Sequence, residues 1–182
     1  MRVAICQIAR HFLPAHLVIV LGVILAVSPS FAADFTGRVV GIIDGDTIEV
    51  LHHQQAKRIR LSGIDCPEKS QAFGQKAKDA VADLAFGKEV TIQTHGKDKY
   101  KRTLGDVILP DGMNLNQELV KQGWCWWYRT YAPGDTVLEG LEKETQEAKK
   151  GLWADPQPVP PWVYRKVRSG HDLNQFDLVP LE

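Results

Sequence analysis

The stretch that most constrains the fold covers residues 41–68 and reads GIIDGDTIEVLHHQQAKRIRLSGIDCPE. Two runs of β-branched residues flank Asp44-Gly45, a dipeptide that strongly favours a tight turn between antiparallel strands. Residues 59–61 read Ile-Arg-Leu and continue the alternation of apolar and polar side chains. This part of the chain is therefore predicted to form three strands of one antiparallel sheet.

Charged side chains occupy the ends of these predicted strands. Asp46 is expected at the start of the returning strand, and Asp65 and Glu68 follow the last strand, where proline ends strand pairing. Arg60 lies within that strand, and a second arginine, Arg102, precedes another β-rich run. Carboxylates that bind a hard metal ion and activate water, together with guanidinium groups that bind phosphate, suit phosphodiester hydrolysis. Taken singly, each of these residues is equally well explained as an ordinary turn or edge residue.

The rest of the chain alternates short strands and helices. Residues 89–94 and 103–109 are predicted strands, and residues 114–123 are a predicted helix. A helix is also predicted from Ser70 to Phe86, with Ser70 as its N-cap, and another from Thr136 to Lys150, opened by a capping box of Thr136 and Glu139. Periodicity alone indicates a small mixed β domain.

Four motifs occur in a fixed order: DGDT, RLSGIDCPE, DKYKRTL and LNQELVKQGW. In order and separation they resemble the staphylococcal nuclease family, over about residues 35–153. The resemblance implies an α+β fold, namely an OB-fold five-stranded β-barrel with three α-helices. We therefore place a nuclease-like domain at residues 33–153 and a proline-rich extension at residues 154–182, whose end is expected to be disordered.

The resemblance also assigns a role to each matching position. It implies that Ca²⁺ is bound by the side chains of Asp46 and Asp65 and by the backbone carbonyl of Cys66. It places Glu68 at the general base and Arg60 and Arg102 at the two arginines that contact the scissile phosphate. The residues implied to contact the nucleotide itself are Lys99, Tyr100 and Tyr131.

The sequence departs from the family at several positions. Cys66 replaces a threonine and Lys101 replaces a glycine, and the long loop after the catalytic glutamate is shortened to a few residues from Lys69 onward. Arg129 stands where one of two nucleotide-contacting tyrosines is expected. The catalytic positions are thus intact, whereas the substrate-contacting positions have changed.

Residues 1–32 have the features of a cleaved signal peptide. Arg2 and Arg10 form a positive n-region, Leu17 to Val27 is an apolar core, and Ser30-Phe31-Ala32 is a small-x-small cleavage site. The apolar core is shorter than the ~20 residues of a membrane anchor. We expect cleavage near Ala32, a secreted or periplasmic protein, and no membrane association beyond the leader.

Composition limits the mature protein to one domain of ordinary charge. The whole chain has 22 basic and 22 acidic residues, and the leader removes two arginines and no acids, which leaves a net charge of −2. A nucleic-acid binder is usually basic overall, so binding is expected to depend on a local groove. Roughly 150 mature residues suffice for one core. We expect a monomer without a stable protein partner.

Two cysteines, Cys66 and Cys125, remain after removal of the leader. An even number in an exported protein favours a disulfide, whereas two separate small core residues are the alternative. A bridge would connect the segment after Asp65 to the end of the predicted helix at residues 114–123.

The sequence is therefore interpreted as an exported Ca²⁺-dependent nuclease of DNA, with single strands preferred, and of RNA, which leaves 3′-phosphates. The alternative is a catalytically inactive OB-fold module that binds nucleic acid or a protein. Retention of Glu68, Arg60 and Arg102 favours the enzyme.

Overall fold

The structure, a computed structural model, describes residues 33–170, so the predicted leader and residues 171–182 lie outside it. The strands are β1 (Phe35–Asp44), β2 (Thr47–His52), β3 (Gln55–Leu61), β4 (Ile64–Asp65), β5 (Glu89–Lys97), β6 (Thr103–Ile108) and β7 (Trp126–Trp127). The helices are α1 (Gly74–Ala85), α2 (Leu115–Lys121), α3 (Thr136–Glu147) and α4 (Pro161–Arg168). None of these helices is long and apolar enough to cross a membrane.

Five strands close a barrel in the order β1, β2, β3, β6, β5. This confirms the α+β class and the five-stranded barrel. The inward-facing side chains of the strands are apolar and fully buried, among them Ile48, Ile59 and Ile92. Helices α1 and α2 contribute Val81 and Leu119 to the same core. The three predicted helices are present, and α4 is a fourth that the sequence analysis did not predict.

The hairpin between β1 and β2 turns one residue later than predicted. Asp44 pairs with Thr47, so the two-residue turn is Gly45-Asp46, and Asp46 lies in the turn rather than at the start of the returning strand. A Cβ atom on Gly45 would lie 2.8 Å from the Cβ of Cys66. Only glycine therefore allows this turn to approach the segment that carries Cys66.

Strands β3 and β6 run parallel and complete the barrel, with Arg60 paired to Leu104. Their junction is held by Asn116 of α2, a buried residue. Its amide donates hydrogen bonds to the Ser62 carbonyl at 3.0 Å, and its oxygen accepts one from the Val107 backbone at 3.2 Å. The register places the end of β3 beside the start of β6, so Arg60 and Arg102 lie on the same side of the barrel.

Strands β4 and β7 form a separate two-stranded antiparallel ribbon in which Asp65 pairs with Trp126. The next residues along the ribbon are Cys66 and Cys125, which a disulfide joins with a Cα–Cα distance of 4.1 Å. Directly opposed residues of an antiparallel pair lie at about this separation. The ribbon thus presents the two cysteines to each other and anchors Asp65 beside the barrel.

Three helix boundaries differ from the predictions. Helix α1 begins at Gly74, not at Ser70, because the preceding residues form turns and its N-cap, Phe73, adopts φ +64° without a side-chain cap. The N-cap of α3 is Asp135, not Thr136, and its carboxylate accepts hydrogen bonds from the backbone of Val137 and Leu138. The predicted extended segment after residue 153 becomes helical at Pro161, where proline suits the first helical turn.

Candidate active site

One open cleft beside the barrel, with a volume of about 1080 Å³, contains all the predicted catalytic and substrate-contacting side chains. Its floor is acidic, and its rim carries the lysines of the β5–β6 loop. The acids of the floor come from one hairpin, one strand and one loop: Asp44 and Asp46 from the β1–β2 hairpin, Asp65 from β4, and Glu68 from the loop after β4.

Asp46 is the acid at the centre of the floor, and its side chain is 10% exposed. Its Oδ2 accepts a hydrogen bond from the backbone N–H of Cys66 at 3.0 Å, and its Oδ1 accepts one from the Thr47 hydroxyl at 3.1 Å. Asp44 supports the same turn, since its Oδ1 accepts the Asp46 N–H at 3.2 Å. The turn is therefore fixed by hydrogen bonds from both sides.

Arg60 connects the two predicted metal-binding acids. Its Nη2 lies 3.0 Å from Oδ2 of Asp46 and 3.0 Å from Oδ1 of Asp65, and only 13% of its side chain is exposed. Its Nη1 donates to the carbonyls of Leu61 and Ile64 at 2.8 and 2.9 Å. Because one guanidinium nitrogen contacts both carboxylates, the two acids converge on a position where a single cation is shared.

Arg102 reaches the same floor from the start of β6. Its Nε donates to Oδ2 of Asp98 at 2.7 Å, and its Nη1 donates to the Thr47 hydroxyl at 3.3 Å. Burial acts to raise the pKa of Asp98, but hydrogen bonds from Arg102 and Tyr100 outweigh it and lower that pKa below its usual value. Thr47, which lies next to Asp46, thus connects Arg102 to the acidic floor.

The Lys99-Tyr100 pair lies on the rim, in the turn stabilised by Asp98. Tyr100 is 68% exposed, and the Lys99 ammonium lies 5.1 Å from the centre of its ring. Lys101 follows with φ +65°, a left-handed conformation that favours glycine. The rim is therefore positively charged and open to a ligand.

The floor carries more negative charge than its arginines neutralise. The pKa of Asp44 is raised to about 6, first by burial and next by the charge of Asp46. The pKa of Asp65 is also raised to about 6, mainly by burial, although the hydrogen bond from Arg165 opposes the shift. Crowded, desolvated carboxylates of this kind favour the binding of a further cation.

The donor atoms on the floor fit a hard divalent metal. Ca²⁺ takes six to eight oxygen ligands, from carboxylates, carbonyls and water. Within residues 33–170 no three His, Cys, Asp or Glu side chains are grouped as a metal site. Asp46 and Asp65 nevertheless share one cationic group, so they fit as two carboxylate ligands of one ion, with carbonyl and water oxygens needed for the rest.

Glu68 and Asp65 are both held by Arg165, a residue of α4 that the sequence analysis missed. Nη1 of Arg165 lies 2.8 Å from Oε1 of Glu68, and its Nη2 lies 2.6 Å from Oδ2 of Asp65. Burial acts to lower the pKa of Arg165, but these two carboxylates outweigh it and raise that pKa. The signal in the sequence was the run PWVYRKVR, in which a proline opens a short helix ending in basic residues.

Aromatic side chains form the opposite wall of the cleft. Tyr131 is 73% exposed and meets Tyr128 edge to face, and Tyr128 stacks on Trp162 with their planes 4° apart. Arg129 points away from this wall: it packs over Trp127 and pairs with the buried Glu142 at 2.9 Å. Arg129 is therefore part of the packing beneath the wall, which leaves Tyr131 as the exposed ring.

The acidic floor, the two arginines beside it and the basic rim fit a phosphodiester hydrolase. Residues 58–155 match the sequence model of a family described as "Staphylococcal nuclease homologue". The chain belongs to the staphylococcal nuclease family, as the motif resemblance predicted.

Two relatives illustrate this membership. An "Uncharacterized endonuclease" of Escherichia coli O157:H7 is 48% identical over 137 residues, which cover 75% of this chain and 89% of that protein. A "Micrococcal nuclease" of Shigella flexneri is 42% identical over 167 residues, which cover 87% of this chain and 96% of the relative. Helix α4 lies beyond the residues that match the family model.

Proposed function

We propose that the protein is an exported, Ca²⁺-dependent nuclease that hydrolyses DNA, with single strands preferred and RNA as a second substrate, and leaves 3′-phosphates. The observation that carries the proposal is the sharing of one Arg60 nitrogen by Asp46 and Asp65 at 3.0 Å each. Such a pair of convergent carboxylates, between two arginines and beside a glutamate, has the ligands and the charges that phosphodiester hydrolysis needs.

The metal would be held by the carboxylates of Asp46 and Asp65 and by the Cys66 carbonyl, and bound there Ca²⁺ would neutralise the phosphate and orient the attacking water. Glu68 takes the proton of that water as its oxygen attacks phosphorus. The bond from phosphorus to the 5′ oxygen breaks, and that oxygen leaves as a 5′-hydroxyl with a proton from solvent, so the phosphate stays on the 3′ side. Arg60 and Arg102 stabilise the charge that develops on the phosphate oxygens.

The preference for single strands follows from the two walls of the cleft. Lys99 and Tyr100 on the rim supply a cation and an exposed ring for a terminal phosphate and its nucleotide. Tyr131 on the opposite wall offers a face on which an unpaired base stacks. A paired base within a duplex has no free face to offer to that ring.

Export is supported by two independent features. The leader at residues 1–32 has the composition of a signal peptide. The disulfide between Cys66 and Cys125 is a bond that persists in oxidising compartments. Both features agree with a periplasmic or secreted enzyme.

The experiment that tests this function measures cleavage of heat-denatured DNA and of RNA by residues 33–182, with Ca²⁺ and with a chelator. We expect cleavage that requires Ca²⁺, and its loss in Asp46→Asn, which keeps the size of the side chain but removes the negative charge that would bind the metal. Calorimetric Ca²⁺ titration should show the same loss. If the wild type binds single strands without cutting them, the enzyme interpretation fails and the binding module becomes the better account.

We expect Tyr131→Ala to raise KM for single-stranded DNA with little change in kcat. Stacking of one base on an aromatic ring contributes about 1–3 kcal/mol, so the increase should be roughly 5-fold to 100-fold. Tyr131→Phe is the matched control and should keep KM within about twofold of the wild type, because the ring is retained. An unchanged KM in the alanine variant would remove Tyr131 from the substrate site.

A further inference from the structure

The loop that carries Glu68 has little support from its own residues. The backbone carbonyl of Glu68 accepts a hydrogen bond from the Gln71 N–H at 2.8 Å, and the Gln71 side chain accepts one from the Glu68 N–H at 3.1 Å. The loop then enters α1 through Phe73 in a left-handed conformation, with no side-chain cap. Lys69 and Ser70 at its tip are exposed. The position of the proposed general base therefore depends on what lies against this loop.

The segment Val159–Arg168 lies against the loop and contacts two of its residues besides Glu68, Ser70 and Gln71. The Gln71 amide donates to the Val159 carbonyl at 2.5 Å. The Tyr164 hydroxyl donates to the Ser70 carbonyl at 3.1 Å and lies 3.0 Å from the Ser70 hydroxyl. Arg168 donates to the same serine hydroxyl at 3.1 Å. The loop is therefore held along its backbone as well as at its side chains.

Arg165, on the same helix, completes the contact at the carboxylate. It reaches Glu68 at 2.8 Å and Asp65 at 2.6 Å, so a single guanidinium sets the position of one acid relative to the other. The side chains of Arg165 and Glu68 are 43% and 35% exposed, whereas that of Asp65 is 1% exposed. Glu68 is thus the more exposed of the two acids, and Arg165 ties it to a buried one.

Helix α4 has its own attachment to the domain, independent of the loop. Pro161 and Val163 are buried. Trp162 stacks on Tyr128 with ring centres 5.3 Å apart and meets Trp126 edge to face at 5.6 Å. Because these contacts involve the ribbon and the aromatic wall, α4 provides a fixed surface on which the shorter loop is positioned.

We propose that Val159–Arg168 is a positioning element of the active site, which fixes the Glu68 loop through Tyr164 and Arg165. The inference rests on the proposed function, in which Glu68 acts on water. A short loop clamped by a helix holds a general base in one orientation, and a misplacement of about 1 Å at such a group costs ~10²-fold in rate.

The test compares Tyr164→Phe, Arg165→Gln and Arg165→Lys with the wild type on single-stranded DNA at saturating Ca²⁺. Tyr164→Phe keeps the ring and removes the hydroxyl, and we expect kcat to fall about 10-fold, the effect of two lost hydrogen bonds. Arg165→Gln should lower kcat by about 10-fold to 100-fold, because a charged contact to the carboxylate is lost. KM should stay within about twofold, and Arg165→Lys should recover part of kcat.

Hydrogen exchange and Ca²⁺ titration separate positioning from other roles. We expect faster amide exchange at residues 68–73 in Tyr164→Phe and Arg165→Gln, with Ca²⁺ affinity within about threefold of the wild type. Arg58→Gln is the matched control, since this exposed arginine pairs with Glu49 outside the cleft and should change neither quantity.

Two outcomes would overturn the proposal. Unchanged exchange and kcat in Tyr164→Phe and Arg165→Gln would make the segment passive packing. Higher activity with tighter Ca²⁺ binding in Arg165→Gln would make Arg165 a competitor of the metal for Asp65. If the wild type itself cuts nothing, the proposed function fails, and hydrogen exchange still decides whether the segment fixes the loop.

Discussion

Replacing Arg102 by glutamine is expected to lower kcat on single-stranded DNA by about 10²-fold to 10³-fold, the usual effect of removing one preorganised donor to a developing negative charge. The guanidinium is held before substrate arrives, because Asp98 fixes its Nε at 2.7 Å and Thr47 lies 3.3 Å from its Nη1. Its side chain remains 27% exposed toward the cleft. The measurement is steady-state cleavage with saturating Ca²⁺.

Two variants identify the source of that loss. Arg102→Lys keeps the charge but loses the planar fork, so it should recover only part of the rate. Arg58→Gln removes an arginine on a neighbouring strand outside the cleft and should leave kcat unchanged. Thermal unfolding should show Arg102→Gln folded at the assay temperature. A folded Arg102→Gln variant within about threefold of the wild-type kcat would contradict a direct role at the phosphate.

The second large effect concerns the disulfide. The double variant Cys66→Ser, Cys125→Ser is expected to lose about 4 kcal/mol of unfolding free energy, because the bond closes a loop of 59 residues in the unfolded chain. Serine suits the two sites in size, so packing loss contributes little. The measurement is urea unfolding of the wild type and the variant under oxidising conditions, with the free energy extrapolated to water.

Chemical reduction provides the control for this prediction. A reductant should lower the stability of the wild type to about that of the double variant and should leave the variant itself unchanged. Because the disulfide adjoins Asp65 on β4, Ca²⁺ affinity measured by titration should also fall in the variant. A loss below about 1 kcal/mol would mean that the ribbon already restrains the two segments without the covalent bond.

The strands that carry the central site were predictable because their signals are local, whereas the closed barrel was implied only by the family resemblance. The Asp44-Gly45 turn signal and the Ile-Arg-Leu run place Asp46 and Arg60 on adjacent strands, and the structure pairs Thr47 with Arg60. Predicting which arginine and which acid meet across the barrel required the family resemblance. The error of one residue in the turn arose because the β1–β2 pairing contains bulges, which no pattern of alternation reveals.

The role of α4 was not predictable from local signals. Three prolines precede it and a fourth begins it, and their abundance favoured an extended segment over a helix. Arg165 meets Asp65 across 100 residues of sequence, and no periodicity connects the two. The late start of α1 has a similar cause: Ser70 is held by Tyr164 and Arg168, so tertiary contacts and not capping propensity decide the conformation there.

The parallel junction of β3 and β6 also governs the order in which the site can form during folding. Arg102 meets Thr47 across 55 residues, so this contact forms only after β6 has paired with β3. Contacts so distant in sequence form slowly, because the intervening chain must first be ordered. A chain whose β6 is still unpaired has the acids and Arg60 but no closed barrel to hold them. The catalytic arrangement is therefore completed late in folding.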